Sequence, residues 1–395
     1  MFNEDMYKIG AKGSDIRELF EYGKRRKLEI GDDKVFDFSI GNPSVPSPSV
    51  VNETLIDLIQ NVEPTKLHGY TSASGDNYVK SEIANYINNK YNANVSKDLI
   101  YMTCGAAASL SITFKALLNP NDEAIVIAPY FPEYKVFVEN AFGKIVVVNS
   151  KLPSFLPDFD DLENKINENT KAVIINSPNN PTGVVYGKDV IEELASVLKK
   201  KEKELGTNIY LVSDEPYREL VYGDAIVPFI TNYYHNSIVC YSFSKSLSLP
   251  GERIGYILVN SECVEAIKLY KTICGAGRSM GFVCAPALFQ YMVPKCLGYT
   301  SDINVYKENR DILYKELTSY GYEVVKPEGA FYLFIKSLDE NSYAFSEFAK
   351  KYELLLVPSD SFGVKGYIRI SYCVSRKQIV DSLPSFKKLI EDYNK

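Results

Sequence analysis

Tryptophan is absent from the 395 residues, and histidine occurs only twice, as His68 and His235. Any site that clamps a flat ring must therefore use Phe, Tyr or His. Two histidines cannot assemble a multi-histidine centre or an H-E-x-x-H site within one chain, so no metal-ligating set is expected. The seven cysteines, Cys104, Cys240, Cys263, Cys274, Cys284, Cys296 and Cys373, are odd in number and never spaced C-x-x-C. That argues against a disulfide framework or a zinc ribbon and points to buried thiols in a reducing compartment. No run approaches the roughly 18 apolar residues of a membrane span, and the charged start MFNEDMYKIGAKGSDIRELF has no signal-peptide core. The expectation is a soluble, cytoplasmic chain without a membrane partner.

Forty-four Lys+Arg against 50 Asp+Glu give a net charge of −6, with 46% apolar and 24% charged residues. This balance excludes disorder and gives no basic surface for coating nucleic acid. At roughly 100–200 residues per unit, the length predicts two or three structural units. From about residue 99 to 260, β-branched runs (AIVIA, KIVVV, KAVIIN, NIYLVSD, SIVCYS, YILVN) alternate with longer amphipathic segments such as 105–118 and 188–205. That alternation predicts an α/β fold with a mostly parallel sheet between helices. After about 300 the rhythm changes to helix, several short strands and a closing helix, a smaller α+β unit. The Pro-rich GNPSVPSPSV of 41–50 reads as an extended connector. The division expected is an N-terminal segment 1–45 joining the small unit, a large domain 46–295 and a small domain 296–395. The cleft between the two units is the default ligand site.

Chemistry-bearing residues gather where strands end. SFSKSLSLPGERIGY (242–256) follows the strand SIVCY and places Ser242, Ser244 and Lys245 at its carboxyl end, with Arg253 eight residues past the lysine. Open α/β sheets bind ligands at such ends. A lysine amine forms a Schiff base with an aldehyde, and hydroxyls with a guanidinium hold a phosphate. NIYLVSDEPY delivers Asp214 and Tyr217, and KAVIINSPNNPTG delivers Asn180. A carboxylate at 214 can keep a ring nitrogen protonated, while Asn180 and Tyr217 offer donors to a phenolate oxygen. TCGAAASL (103–110) is a small-residue turn entering a helix, whose free N–H groups attract phosphate. Phe131 in APYFPEY is placed to stack on a heteroaromatic ring, and Arg369 in YIRISY offers a fork for a carboxylate. Singly, each has a plain alternative: a solvated loop lysine, a helix cap, an ordinary turn, close helix–sheet packing, a core Phe, or a structural ion pair.

Jointly these motifs, from GNP of 41–43 to YIRIS of 367–371, resemble the pyridoxal-phosphate aminotransferases of the aspartate-aminotransferase family, class I and II. S-F-S-K-S-L-S-L-P-G-E-R-I-G matches that family's attachment signature, and NNPTG, D-x-x-Y, the lysine and the late arginine follow in the family's order. The resemblance implies pyridoxal 5'-phosphate as cofactor and a large domain that binds it. It implies Lys245 as the Schiff-base lysine, Asp214 at the pyridine nitrogen, Asn180 and Tyr217 at the ring oxygen and Phe131 on the ring. It further implies a phosphate cradle of Gly105, Ala106, Ala107, Ser242, Ser244 and Arg253. Tyr70, in the H-G-Y-T segment, matches a tyrosine that reaches the neighbouring subunit's phosphate, so a homodimer with shared active sites is implied. Arg369 matches the arginine for the substrate α-carboxylate, with Gly41 and Asn180 lining the same pocket. The arginine that dicarboxylate-specific members supply has no motif match here, although Arg278 lies in the approximate region.

The activity implied is transfer of an amino group between an L-amino acid and a 2-oxo acid, by ping-pong kinetics through pyridoxamine phosphate. The alternative on the same fold is a β-eliminating lyase or decarboxylase, since cofactor and lysine fix only the chemistry at Cα. A cofactor-sensing DNA-binding regulator is disfavoured, because only about 40 residues precede the GNP motif and a winged helix needs more.

Overall fold

The computed structural model describes residues 2–11 and 13–393. The β-branched runs form a seven-stranded sheet of β1 (Ile100–Thr103), β2 (Glu123–Ile127), β3 (Lys144–Val148), β4 (Thr170–Asn176), β5 (Tyr210–Asp214), β6 (Ser237–Ser242) and β7 (Gly255–Val259). Their spatial order is β1-β7-β6-β5-β4-β2-β3. From β6 to β3 every neighbouring pair is parallel, whereas β7 is antiparallel to both β1 and β6. The reason lies in the connections. A parallel return needs a crossover of a dozen or so residues, usually with a helix. Residues 243–254 hold only a single-turn helix, Phe243–Ser246, so β7 folds back beside β6. Along β2, Ile125 and Ile127 face one core while Ala124 and Val126 face another, all buried. Burial on both faces is why the strand reads as a continuous apolar run rather than an alternating one.

A second, antiparallel sheet contains β8 (Val324–Val325), β9 (Tyr332–Lys336), β10 (Val357–Pro358) and β11 (Tyr367–Ser371), in the order β8-β9-β11-β10. Leu333, Ile335, Ile368 and Ile370 belong to its core together with Phe345 and Phe386. The N-terminal segment attaches here. Helix α1 (Asp15–Ile30) packs Leu19 with Leu355 and Val357, Arg26 pairs with Glu353 at 2.5 Å, and Phe36–Asp37 runs parallel to Leu354–Leu355. The connector is irregular from Gly41 through Pro48, after which Ser49 opens a helix to Asn61. Pro48 caps that helix, a place where its missing N–H costs nothing. Helices α2 (Ala106–Leu117), α3 (Glu133–Asn140) and α4 (Lys188–Leu205) follow β1, β2 and β4 and cover the large sheet. Among the described residues no helix is long and apolar enough to cross a membrane. The cysteines are all free, but only Cys240, Cys263, Cys296 and Cys373 are buried; Cys104, Cys274 and Cys284 are half-buried, Cys104 just past the end of β1, Cys284 in a loop, and Cys274 on the margin of a core within the helix Ala266–Ser279.

Candidate active site

Strands β4, β5 and β6 end side by side, and the residues after them close one another in place. Asn176, the last of β4, donates from Nδ2 to the Asp214 carbonyl at 2.8 Å, and its Oδ1 accepts from the Asn180 N–H at 2.7 Å. The turn carrying Asn180 is thus pinned to the end of β5. At the end of β6, Ser242 Oγ caps the Phe243–Ser246 turn by accepting from the Ser244 N–H at 3.1 Å and donates to Ser244 Oγ at 2.7 Å. That turn aims Lys245 into a cavity of about 510 Å3 between the two sheets, which is in the range of small-molecule sites. Its amine donates to the Gly41 carbonyl at 2.6 Å and lies 5.5 Å from the centre of the Phe331 ring.

Burial governs the two titratable groups facing this space. Lys245 is pushed down to about 8 by desolvation, with Arg253 and Arg369 acting in the same direction and Cys373 against it. Asp214 is pushed up to about 7 by desolvation, opposed by a hydrogen bond from Tyr134 and reinforced by Glu215. The Tyr134 hydroxyl occupies Asp214 Oδ2 at 2.6 Å, while Oδ1 is buried without a partner. An unpaired buried carboxylate oxygen costs free energy, so this atom is set for a donor that the protein itself does not supply.

Arg369, on β11, is 1% exposed. It donates from Nη1 to Asn180 Oδ1 at 3.0 Å and from Nη2 to the Ser39 carbonyl, leaving Nε buried and unpartnered. Among the described residues no carboxylate pairs with it, and burial lowers its pKa. The structural ion pair weighed as an alternative for this arginine is therefore not what the fold builds. The result is a desolvated cation facing the cavity without a counter-ion, which favours an incoming carboxylate.

At the start of α2, Gly105 has φ +88°, and a Cβ there would stand 2.9 Å from an Nη of Arg253. Glycine thus meets two needs at once, the backbone angle and the close approach of the guanidinium. The helix N-terminus, Arg253 and the Ser242–Ser244 hydroxyls make one electropositive corner.

Of the expected residues, Gly41, Ala106, Ala107, Phe131, Asn180, Asp214, Tyr217, Ser242, Ser244, Lys245, Arg253 and Arg369 all line this one cavity. Gly105 lies just behind it through Arg253. Tyr70 is 97% exposed and takes no part in its own chain's cavity, and Arg278 is exposed at the end of the helix Ala266–Ser279. Two tyrosines join the site unforeseen. Tyr134 holds Asp214, and Tyr332 shares a 2.8 Å hydroxyl–hydroxyl bond with Tyr217 and stacks on the Arg369 guanidinium at 4.7 Å. A side chain at Gly41 would collide with the Tyr332 hydroxyl, which explains the glycine there.

Known proteins resemble this chain over nearly its whole length. Residues 33–383 match the family model for aminotransferase class I and II. The chain is 31% identical to the aspartate aminotransferase of Thermotoga maritima over 385 residues, covering 96% of each chain. It is also 31% identical to a probable aspartate aminotransferase of Methanocaldococcus jannaschii, covering 96% of this chain and 98% of that one. Among solved structures, an amino transferase from Eubacterium rectale is 54% identical, with a TM-score of 0.98 and full coverage of both chains. The Thermotoga maritima structure has a TM-score of 0.87 at 29% identity, covering 99% of this chain and 100% of that one. With strand ends, lysine, acid and arginine converging as they do and the match spanning nearly the whole chain, this protein belongs to the class I and II aminotransferases, enzymes that transfer nitrogenous groups.

Proposed function

We propose that the chain uses pyridoxal 5'-phosphate to move an amino group between an L-amino acid and a 2-oxo acid, in two half-reactions of a ping-pong cycle. The observation that carries this is the meeting of three incomplete groups on one cavity: the Lys245 amine, the unpartnered Asp214 Oδ1, and the counter-ion-free Arg369. The residues fit the cofactor. The electropositive corner at α2 matches a phosphate, the free Asp214 oxygen matches a protonated ring nitrogen, and Phe131 offers a ring face on the cavity wall. When bound, the cofactor supplies an aldehyde carbon for the amino group and a protonated ring that takes up the electron pair left at the substrate Cα.

The protein's own residues divide the remaining work. Gly105, Ala106 and Ala107 offer backbone N–H groups at the start of α2, and Ser242, Ser244 and Arg253 add donors for the phosphate. Asp214 Oδ1 holds the proton on the ring nitrogen, and that positive neighbour returns the carboxyl to its ionised form. Tyr217 and Asn180 would donate to the ring oxygen. Arg369 grips the substrate α-carboxylate, with Gly41 and Asn180 beside it. Lys245 Nζ then takes the proton from Cα, a task suited to an amine whose pKa of about 8 leaves a usable neutral fraction near neutrality. We assign residues 1–45 to the small domain, 46–295 to the large domain and 296–395 to the small domain, supported by the pairing of Phe36–Asp37 with Leu354–Leu355. The solvent-facing Tyr70 supports a homodimer in which it reaches the partner's phosphate site.

The test is transfer itself. An amino donor carrying an isotopic label on nitrogen should pass that label to an added 2-oxo acid, with the donor's own 2-oxo acid appearing first. Release of labelled ammonia without transfer would overturn the reading in favour of elimination.

A further inference from the structure

The buried polar groups of the cavity gather at the strand ends and on the second sheet, with Asp214 and Arg369 among them. The wall opposite is built differently. Helix α1 contributes Ile16 and Phe20, Ile40 stands just before the connector, and α3 contributes Phe137. Ile40 is 38% exposed, and the other three are partly buried, so apolar surface stays open toward the space a substrate side chain would fill. The charges on this side do not favour an anion. Arg17 is exposed at the rim and has no hydrogen bond or ion pair among the described residues, while Glu21 and Glu133 line the same wall. Glu21 is paired with Lys24 at 3.0 Å, so a second carboxylate on the substrate would meet the anion of Glu133 and, at the rim, only the solvent-screened cation of Arg17.

We propose that this wall is a side-chain subsite for bulky apolar amino acids, of the phenylalanine and leucine class, and that it disfavours dicarboxylic donors. The inference rests on the aminotransferase reading above and departs from the aspartate in the names of the relatives. Docking a phenyl or isobutyl group buries it against Ile16, Phe20 and Ile40 and covers their exposed carbon in turn, the ordinary source of apolar selectivity. The α-carboxylate remains with Arg369.

Two measurements on the full chain separate this proposal from the one it rests on. With the cofactor-free protein, calorimetry should show 3-phenylpropanoate binding about tenfold more tightly than succinate. In Phe20→Ala that affinity should fall about fivefold or more, while propanoate, too short to reach the wall, changes less than about twofold. With the loaded enzyme, kcat/KM for phenylalanine and leucine should exceed that for aspartate by about tenfold or more. Tighter succinate binding, or a preference for aspartate, would overturn the proposal. So would an aspartate activity lost in Arg17→Ala or in Arg278→Ala, since either arginine would then be the missing distal cation. If the binding order holds but no donor is turned over, the functional reading fails and the subsite stands.

Discussion

Asp214 sits in an environment at odds with the ordinary chemistry of a carboxyl group. Its folded pKa of about 7 lies above the unfolded value of about 3.9, so the cofactor-free native state holds a proton that the unfolded chain has released. The associated stability is present below about pH 4 and is lost as pH rises through about 7. Asp214→Asn stays neutral and escapes that loss. Without cofactor, the variant should therefore be the more stable protein at pH 8, by on the order of 3–5 kcal/mol, with the gap closing toward pH 4. Urea unfolding at several pH values measures this, and parallel pH profiles for the two proteins would contradict it. Adding pyridoxal 5'-phosphate should reverse the order at pH 8, because only the carboxylate pairs with a charged ring nitrogen. Asp214 itself was legible from its place after NIYLVS. Tyr134 was not, because a tyrosine three residues beyond Phe131 carries no mark among 30 tyrosines. Only the packing of α3 against the end of β5 gives it a role.

At the scale of elements, the turn from β1 into α2 shows how sequence composition and site geometry coincide. Gly105 combines φ +88° with close contact to Arg253, so Gly105→Ala should lower stability by about 1–3 kcal/mol and weaken cofactor retention by moving the guanidinium. Unchanged denaturation and an unchanged cofactor dissociation constant would show the turn to be tolerant. Strands and covering helices were visible in the sequence because burial on two faces leaves continuous Val and Ile runs between amphipathic segments. The antiparallel course of β7 was hidden, since YILVN looks like its parallel neighbours and only the short 243–254 connection betrays it. Helix α1 was invisible as part of the cavity wall. Its Ile16 and Phe20 resemble any apolar helix face, and long-range docking beside β10 decides where they point.

For the molecule as a whole, the exposed Tyr70 makes the site of one chain incomplete if the homodimer proposal holds. Lys245→Ala and Tyr70→Ala would each be impaired alone. Mixed, unfolded and refolded together, they should recover about one quarter of wild-type activity, because half the dimers are hybrids and each hybrid holds one intact site. No recovery, with both variants properly folded, would place every site residue within a single chain. The two-sheet organisation was foreseeable from the change of rhythm after residue 300. The pairing of Phe36–Asp37 with Leu354–Leu355 leaves no local mark in the sequence, because it joins segments separated by most of the chain.

In the proposed function the amine of Lys245, lowered to about 8 by burial, is the group that engages the cofactor. The most direct measurement is borohydride trapping of pyridoxal 5'-phosphate on the full chain across a pH series, with mass spectrometry to locate the label. The label should fall on Lys245, absent in Lys245→Ala, and its initial rate should rise about tenfold per pH unit before levelling off above about pH 8. Labelling spread over surface lysines, or a Lys245 rate still climbing past pH 10, would contradict the account.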